Sequence, residues 1–265
     1  MSDDPFTEFK AMQRALWATF APLATFTTPP AARLIDFAAI TPGDALLDVA
    51  CGTGVAAVTA GLQGARVSGL DLSPVLIEEA RRNAAVVDLD AEFIEGDAEA
   101  LPYADGQFDV VVSQFGHMFA PRPEVALGEM LRVLKPGGRI AFATWPPELM
   151  IGGMFALTAR YLPPPPGVAP PPQWGEPGIV RARFGDTVRD LQFQYDDMVI
   201  PSLSPRHYRA NMELTAGPVV KLVSMLADQP ERLQTFRAQL DALIARFFSD
   251  NRVRQTFLLS RAIKC

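Results

Sequence analysis

Along the first 145 positions the apolar residues recur on two different periods. Residues 6–20 place Phe6, Phe9, Met12, Leu16 and Phe20 near helical spacing, and residues 31–40 repeat the pattern, so two amphipathic helices are expected at the start. TPGD at 41–44 is a turn signal, and ALLDVA after it has the character of a short buried strand. From there strands and helices alternate. Residues 54–63 predict a helix and 65–70 a strand. Residues 74–87 predict a helix, with Ser73 as its N-cap and Pro74 at its first position. Strands follow at 91–95 and 108–113, then a helix at 124–134 stopped by KPGG, and a strand at 139–145. Such alternation implies right-handed βαβ units building a parallel sheet with helices on both faces, and ligands in such sheets lie beyond the carboxyl ends of the strands.

After Trp145 the rhythm breaks. LPPPPGVAPPP at 162–172 predicts a stiff, extended surface strap. DLQFQYDDMVI predicts a strand, residues 205–226 and 231–248 two helices, and RQTFLLSRAI a final strand. The expected organisation is a single domain: helices over 1–40, a ligand-binding core over 41–145, a lid insertion with a strand and helices over 146–250, and a last strand over 251–265.

The chemistry concentrates in DVACGTGVAA, residues 48–57. Gly52, Gly54 and Ala57 satisfy G-x-G-x-x-A, and Asp71 closes the next strand where a ribose-binding acid belongs, so a nicotinamide dinucleotide is one reading of the turn. Three features pull away from it. Asp48 sits inside the first strand, a second acid, Asp97, follows the third strand, and the helix ending in LKPGG feeds a strand that closes on Trp145.

The stretches LLDVACGTG, VSGLDLSP, FIEGDAEALPYADGQFDVVVSQFGHMF and EMLRVLKPGGRIAFATW occur in that order. In them the chain resembles the class I S-adenosylmethionine-dependent methyltransferases, specifically the ubiquinone/menaquinone-methylase-like group. The resemblance spans residues 34–145; the flanking regions match in general layout only. It implies an α/β, Rossmann-like, doubly wound, mostly parallel sheet with N-terminal helices and a C-terminal lid, and S-adenosylmethionine as cofactor. It also implies roles. Backbone around Ala50, Cys51, Gly52 and Gly54 would approach the methionine part closely, with Ala50 standing where the family often has Gly. Asp48 would face the ammonium, Asp71 would accept from both ribose hydroxyls with Leu72 against the adenine, and Asp97 beside Ala98 would accept from the adenine amino group. Ser113 and Gln114 would line the reactive end. Cys51 reads as a small buried residue of the turn and not as a nucleophile.

Methyl transfer from a sulfonium is an in-line displacement helped mainly by positioning and exclusion of water, so a base is needed only if the acceptor must lose a proton. The chain has two histidines. His117, just past the fourth strand, is the catalytic candidate because an unperturbed imidazole titrates near neutrality; His207 reads as a solvated residue at a helix start. Trp17, Phe115, Met118, Trp145 and Met154 are the candidate acceptor-binding residues, with Phe119, Met150, Phe155 and Trp174 on the same side, which suits a hydrophobic or aromatic small molecule.

Composition narrows the classes. The chain has 265 residues, 49% of them hydrophobic, enough for a sizeable core, and a net charge of −6, which speaks against a nucleic-acid partner. An acidic N-terminus and the lack of a long apolar run predict no signal peptide and no membrane span, and hence a cytoplasmic protein. Two isolated cysteines and two distant histidines offer no ligand set, so no metal is expected. A nicotinamide oxidoreductase and a cofactor-binding protein without transferase activity remain as alternatives, and the residues leave open which acceptor atom (C, N, O or S) is methylated and the oligomeric state.

Overall fold

The computed structural model describes residues 4–18, 20–21 and 24–265. Five parallel strands form its centre: β1 (Ala45–Val49), β2 (Arg66–Asp71), β3 (Ala91–Glu95), β4 (Phe108–Gln114) and β5 (Leu134–Thr144). Two long strands extend the sheet antiparallel, β6 (Val188–Pro201) and β8 (Arg252–Lys264), giving the order β3-β2-β1-β4-β5-β8-β6, with the short β7 (Phe248–Ser249) paired to β8. Strand order reverses between β1 and β4, so the crevice for a ligand opens above the carboxyl ends of those two strands. β1 and β4 are buried almost throughout, as their continuous apolar runs require.

The βα units close as the periodicity predicts, through α3 (Val55–Leu62), α4 (Pro74–Val86) and α5 (Pro123–Val133). Ala56, Ala57 and Ala60 are the buried residues of α3. Ser73 occupies the cap position of α4, but its buried hydroxyl makes no hydrogen bond, so it does not cap the helix with its side chain as expected. KPGG does more than stop α5. β5 begins at Leu134, opposite Phe108, and the next register pair is Val110 with Arg139, so residues 135–138 bulge out of a strand already under way.

At the N-terminus α1 (Thr7–Trp17) and α2 (Ala24–Ala38) precede the sheet. α2 starts earlier than the apolar pattern suggested and carries Pro29 and Pro30 inside it. The region after β5 holds more helix than expected. α6 (Met150–Tyr161) and α7 (Pro177–Phe184) were not anticipated, and the stretch read as one helix over 205–226 is two, α8 (Pro205–Thr215) and α9 (Gly217–Met225), before α10 (Pro230–Ala245). The proline tract is exposed and irregular over 163–167, yet its end turns inward as a 3-10 turn, Pro171–Gly175, that buries Pro172 and Trp174.

β6 and β8 run past the sheet. β5 pairs with β8 only as far as Thr144 opposite Leu258, whereas β6 and β8 stay paired to Pro201 opposite Arg252. The six residues beyond Leu258 carry a ribbon roughly 20 Å past the carboxyl edge. Asp250 and Asn251, both at positive φ, turn it into β7, the backbone that a tight hairpin needs.

Candidate functional site

After Val49 the backbone enters the left-handed region at Ala50 (φ 56°), Gly52 (φ 55°) and Gly54 (φ 77°), which turns β1 into α3 within a few residues. The two glycines serve different ends. A Cβ on Gly54 would meet Ala80 at 3.0 Å and the Phe93 ring at 3.2 Å, so this glycine lets α3 pack on its neighbours. A Cβ on Gly52 would meet nothing within 4 Å, and Gly52 lines a cavity. Its open side faces space for a ligand. Ala50 stands where the related family often has glycine, and its methyl and carbonyl are accommodated by Gly116, where a Cβ would come within 2.5 Å of both.

Two carboxylates frame this turn. Asp71 ends β2, and each oxygen accepts one backbone N–H: Oδ2 from Gly52 and Oδ1 from Ser73, both at 2.8 Å. Burial pushes its carboxyl up, and those backbone donors pull it part of the way back. Asp48 is deeper. Its Oδ2 accepts from the Ala57 N–H at 3.1 Å, while Oδ1 is buried without a partner. Burial, reinforced by the charge of Asp71, pushes Asp48 up to about 8. Cys51 is buried and its thiol is raised by desolvation, which leaves it inert.

Across the crevice, the Ser113 hydroxyl donates to the Val49 carbonyl at 2.7 Å and accepts from the His117 N–H at 3.0 Å, tying β4 to β1 at the point where strand order reverses. Gln114 donates to the Thr27 carbonyl at 2.6 Å, leaving its buried Oε1 unpartnered, and it lines the cavity. His117 is buried against Phe142 and Trp174, with ring centroids 4.6 Å from each, and neither ring nitrogen has a partner. Burial, with the Arg183 charge adding to it, lowers His117 to about 3. The near-neutral titration expected of it does not hold, because an imidazolium there would lose its water without gaining an acceptor.

The cavity measures about 290 Å³. Of the expected residues, Ala50, Cys51, Gly52, Asp71, Leu72, Asp97, Ala98, Gln114 and His117 line it, as do Trp17, Phe115, Trp145 and Met154. Asp48, Gly54 and Ser113 lie behind this wall. Met118, Met150 and Trp174 are buried and do not line the cavity, although the sequence pattern set them on that side. Phe115 and Trp145 stack with centroids 4.0 Å apart and planes within 9°.

α1 closes one end. Lys10 is buried and its ammonium contacts Asp4 at 2.6 Å, Asp97 at 2.7 Å and Glu99 at 2.6 Å. Asp97 also accepts from the Glu99 N–H at 2.9 Å. The three carboxylates converge closely enough to suggest a cation site, and the cation at their centre is Lys10. The role of Lys10 was missed because a lone lysine on an amphipathic helix reads as solvated. β6, α8 and α9 fall within the expected lid and wall the cavity, and β8 joins them through Gln255 because the ribbon overhangs the sheet, which nothing local in the sequence says.

A glycine turn at the switch point, an acid ending β2, an acid after β3 and antiparallel strands extending a parallel sheet define an α/β protein of Rossmann-like fold. Residues 47–142 match the methyltransferase domain family. A Mycobacterium tuberculosis protein, itself uncharacterized, is 32% identical over 257 residues, covering 95% of this chain and 94% of the relative. A demethylmenaquinone methyltransferase of Thermus thermophilus is 42% identical over 130 residues, 48% of this chain and 58% of that one. A crystallised SAM-dependent methyltransferase of Thermotoga maritima shares the fold, with a TM-score of 0.55 and 16% identity over 95% of this chain and 99% of that one. The chain belongs to the class I S-adenosylmethionine-dependent methyltransferases, and the dinucleotide reading of the turn is set aside. Among the described residues no helix is long and apolar enough to cross a membrane.

Proposed function

We propose that the protein transfers a methyl group from S-adenosylmethionine to a small, uncharged, hydrophobic or aromatic molecule. The observation that carries this reading is where charge sits along the cavity. Among the described lining residues the charged side chains are Lys10, Asp71 and Asp97, on α1, at the end of β2 and just past β3; the walls contributed by α6, β6, α8 and β8 are apolar or neutral. A charged acceptor would lose its hydration there without gaining a counter-ion.

The cofactor, when bound, supplies an electrophilic methyl on a sulfonium. Each Asp71 oxygen keeps acceptor capacity after bonding backbone and would take a ribose hydroxyl, with Leu72 beside the base. Asp97 would accept the adenine amino group next to Ala98. The unpartnered Oδ1 of Asp48 would meet the ammonium, directly or through water. Phe115, Trp145, Trp17 and Met154 would hold the acceptor and exclude water. His117, neutral throughout the physiological range, would have to turn out from between Phe142 and Trp174 to offer a ring nitrogen to an acceptor hydroxyl or N–H.

Incubation with methyl-labelled cofactor and a cell extract split into a solvent-extractable fraction and an aqueous charged fraction tests the reading. Label should enter the extractable fraction. Label confined to the charged fraction would reject the acceptor class, and label in neither would favour a cofactor-binding protein without transferase activity.

A further inference from the structure

On the inward face of the overhanging ribbon, β8 presents Val253, Gln255 and Phe257, and β6 presents Met198 opposite Gln255 and Ile200 opposite Val253. Four of these five buried residues are apolar. Gln255, only 3% exposed, interrupts the pattern at a core position and lines the cavity. Its Nε2 donates to the hydroxyl of Tyr208, which is 8% exposed and lines the cavity too. Tyr208 sits in the first turn of α8, with Met212 and Thr215 one and two turns on along the same cavity-facing side.

The pair is held firmly. Arg209, the next residue of α8, donates to Asp241 of α10 at 2.7 Å and also bonds Glu213, which accepts from Arg237 at 2.9 and 2.6 Å. Ser204 caps α8 by accepting the His207 N–H at 3.1 Å. Gln255 lies four strand positions from β2 in the sheet order, which at the usual spacing is roughly 19 Å from the strand that carries Asp71. The pair therefore stands at the end of the cavity remote from the nucleoside-binding carboxylates.

The geometry points to Tyr208, oriented by Gln255, as a specificity-determining residue that donates a hydrogen bond to a neutral acceptor oxygen, a carbonyl or an ether, at the far end of an otherwise apolar or aromatic substrate. The inference rests on the apolar-acceptor reading above and narrows it to substrates with one distal oxygen. Gln255 occupies a lone pair of the phenol oxygen, which leaves the phenol hydrogen for a ligand. Burial raises the Tyr208 phenol above its ordinary range, so it remains a donor at any physiological pH. Tyr161 also carries a phenol, but its hydroxyl is engaged with Gln239 and it does not line the cavity.

Two probes of matched shape test this, 2-acetylnaphthalene and 2-isopropylnaphthalene, titrated calorimetrically into the intact protein saturated with S-adenosylhomocysteine. In Tyr208→Phe, which keeps the ring, the ketone should bind about 3- to 10-fold more weakly, the worth of one neutral hydrogen bond, while the hydrocarbon changes less than twofold. Equal loss for both probes would reduce Tyr208 to packing, and no loss for either would remove it from recognition; each result overturns the assignment. If neither probe binds the parent protein, the apolar-acceptor reading itself fails, and this assignment fails with it.

Discussion

His117 shows what burial does to a residue that looks catalytic in sequence. Its place after β4 was legible from SQFGHMF, but the rings of Phe142 and Trp174 that desolvate it come from β5 and from the end of the proline tract, which no local pattern connects to it. With the ring lowered to about 3, a rate profile governed by it should show no acidic limb near pH 6 to 7. His117→Asn should lower kcat by roughly tenfold or less, the worth of one hydrogen bond, equally at pH 6 and pH 8. A loss of about 10² to 10⁴ with a limb near neutrality would instead show a general base that has gained a proton-stabilising partner in the substrate complex. The acids were easier to read. Asp71 and Asp97 are fixed by their positions at strand ends, and the structure puts both on the cavity wall.

At the scale of elements, α4 was legible from Pro74 at its start, α3 from Gly54 just before it, and β1 and β4 from their continuous apolar runs. α6 was not. It carries Gly152 and Gly153, and Gly152 is required by close approach: a Cβ there would lie 2.1 Å from the Pro146 carbonyl oxygen. α9 begins at Gly217-Pro218, so continuity of apolar spacing concealed a break at Ala216. α1 is anchored by the Lys10 ammonium together with Gln13, which donates to the Phe119 carbonyl at 2.8 Å, and Arg14, paired with Glu95 at 2.5 Å. Removing the ammonium in Lys10→Met would leave the buried Glu99 and the half-buried Asp97 less compensated, although Arg122 still holds Glu99 at 2.7 Å. The expected result is faster hydrogen exchange in α1 with β1–β4 unaffected, and cofactor binding about tenfold weaker. Unchanged exchange in α1 would show that Gln13, Arg14 and the apolar contacts suffice to hold it.

For the whole molecule, two buried groups set opposing pH dependences. His117, lowered in the fold, binds fewer protons than in the unfolded chain, so its contribution to stability rises from about pH 3 to 6.5. Asp48, raised to about 8, binds more, so its contribution is present at low pH and is lost as pH climbs from about 4 to 8. Between pH 6.5 and 8 the Asp48 effect acts without the other, and thermal or denaturant unfolding should show a loss on the order of 2 kcal/mol over that interval. Asp48→Asn should flatten it; an unchanged slope would place the effect elsewhere.

On the proposed function, the turn at 50–54 holds S-adenosylmethionine. Calorimetric titration of the parent and of Gly52→Val with S-adenosylmethionine, S-adenosylhomocysteine and NAD tests it most directly, with circular dichroism to confirm that the variant folds. A side chain at Gly52 enters the cavity but strains a backbone held at φ 55°, so the variant should fold with reduced stability and bind nothing. The parent should bind the two sulfur nucleosides and ignore NAD. Binding of NAD alone, or a folded Gly52→Val that binds S-adenosylmethionine as the parent does, would contradict the claim.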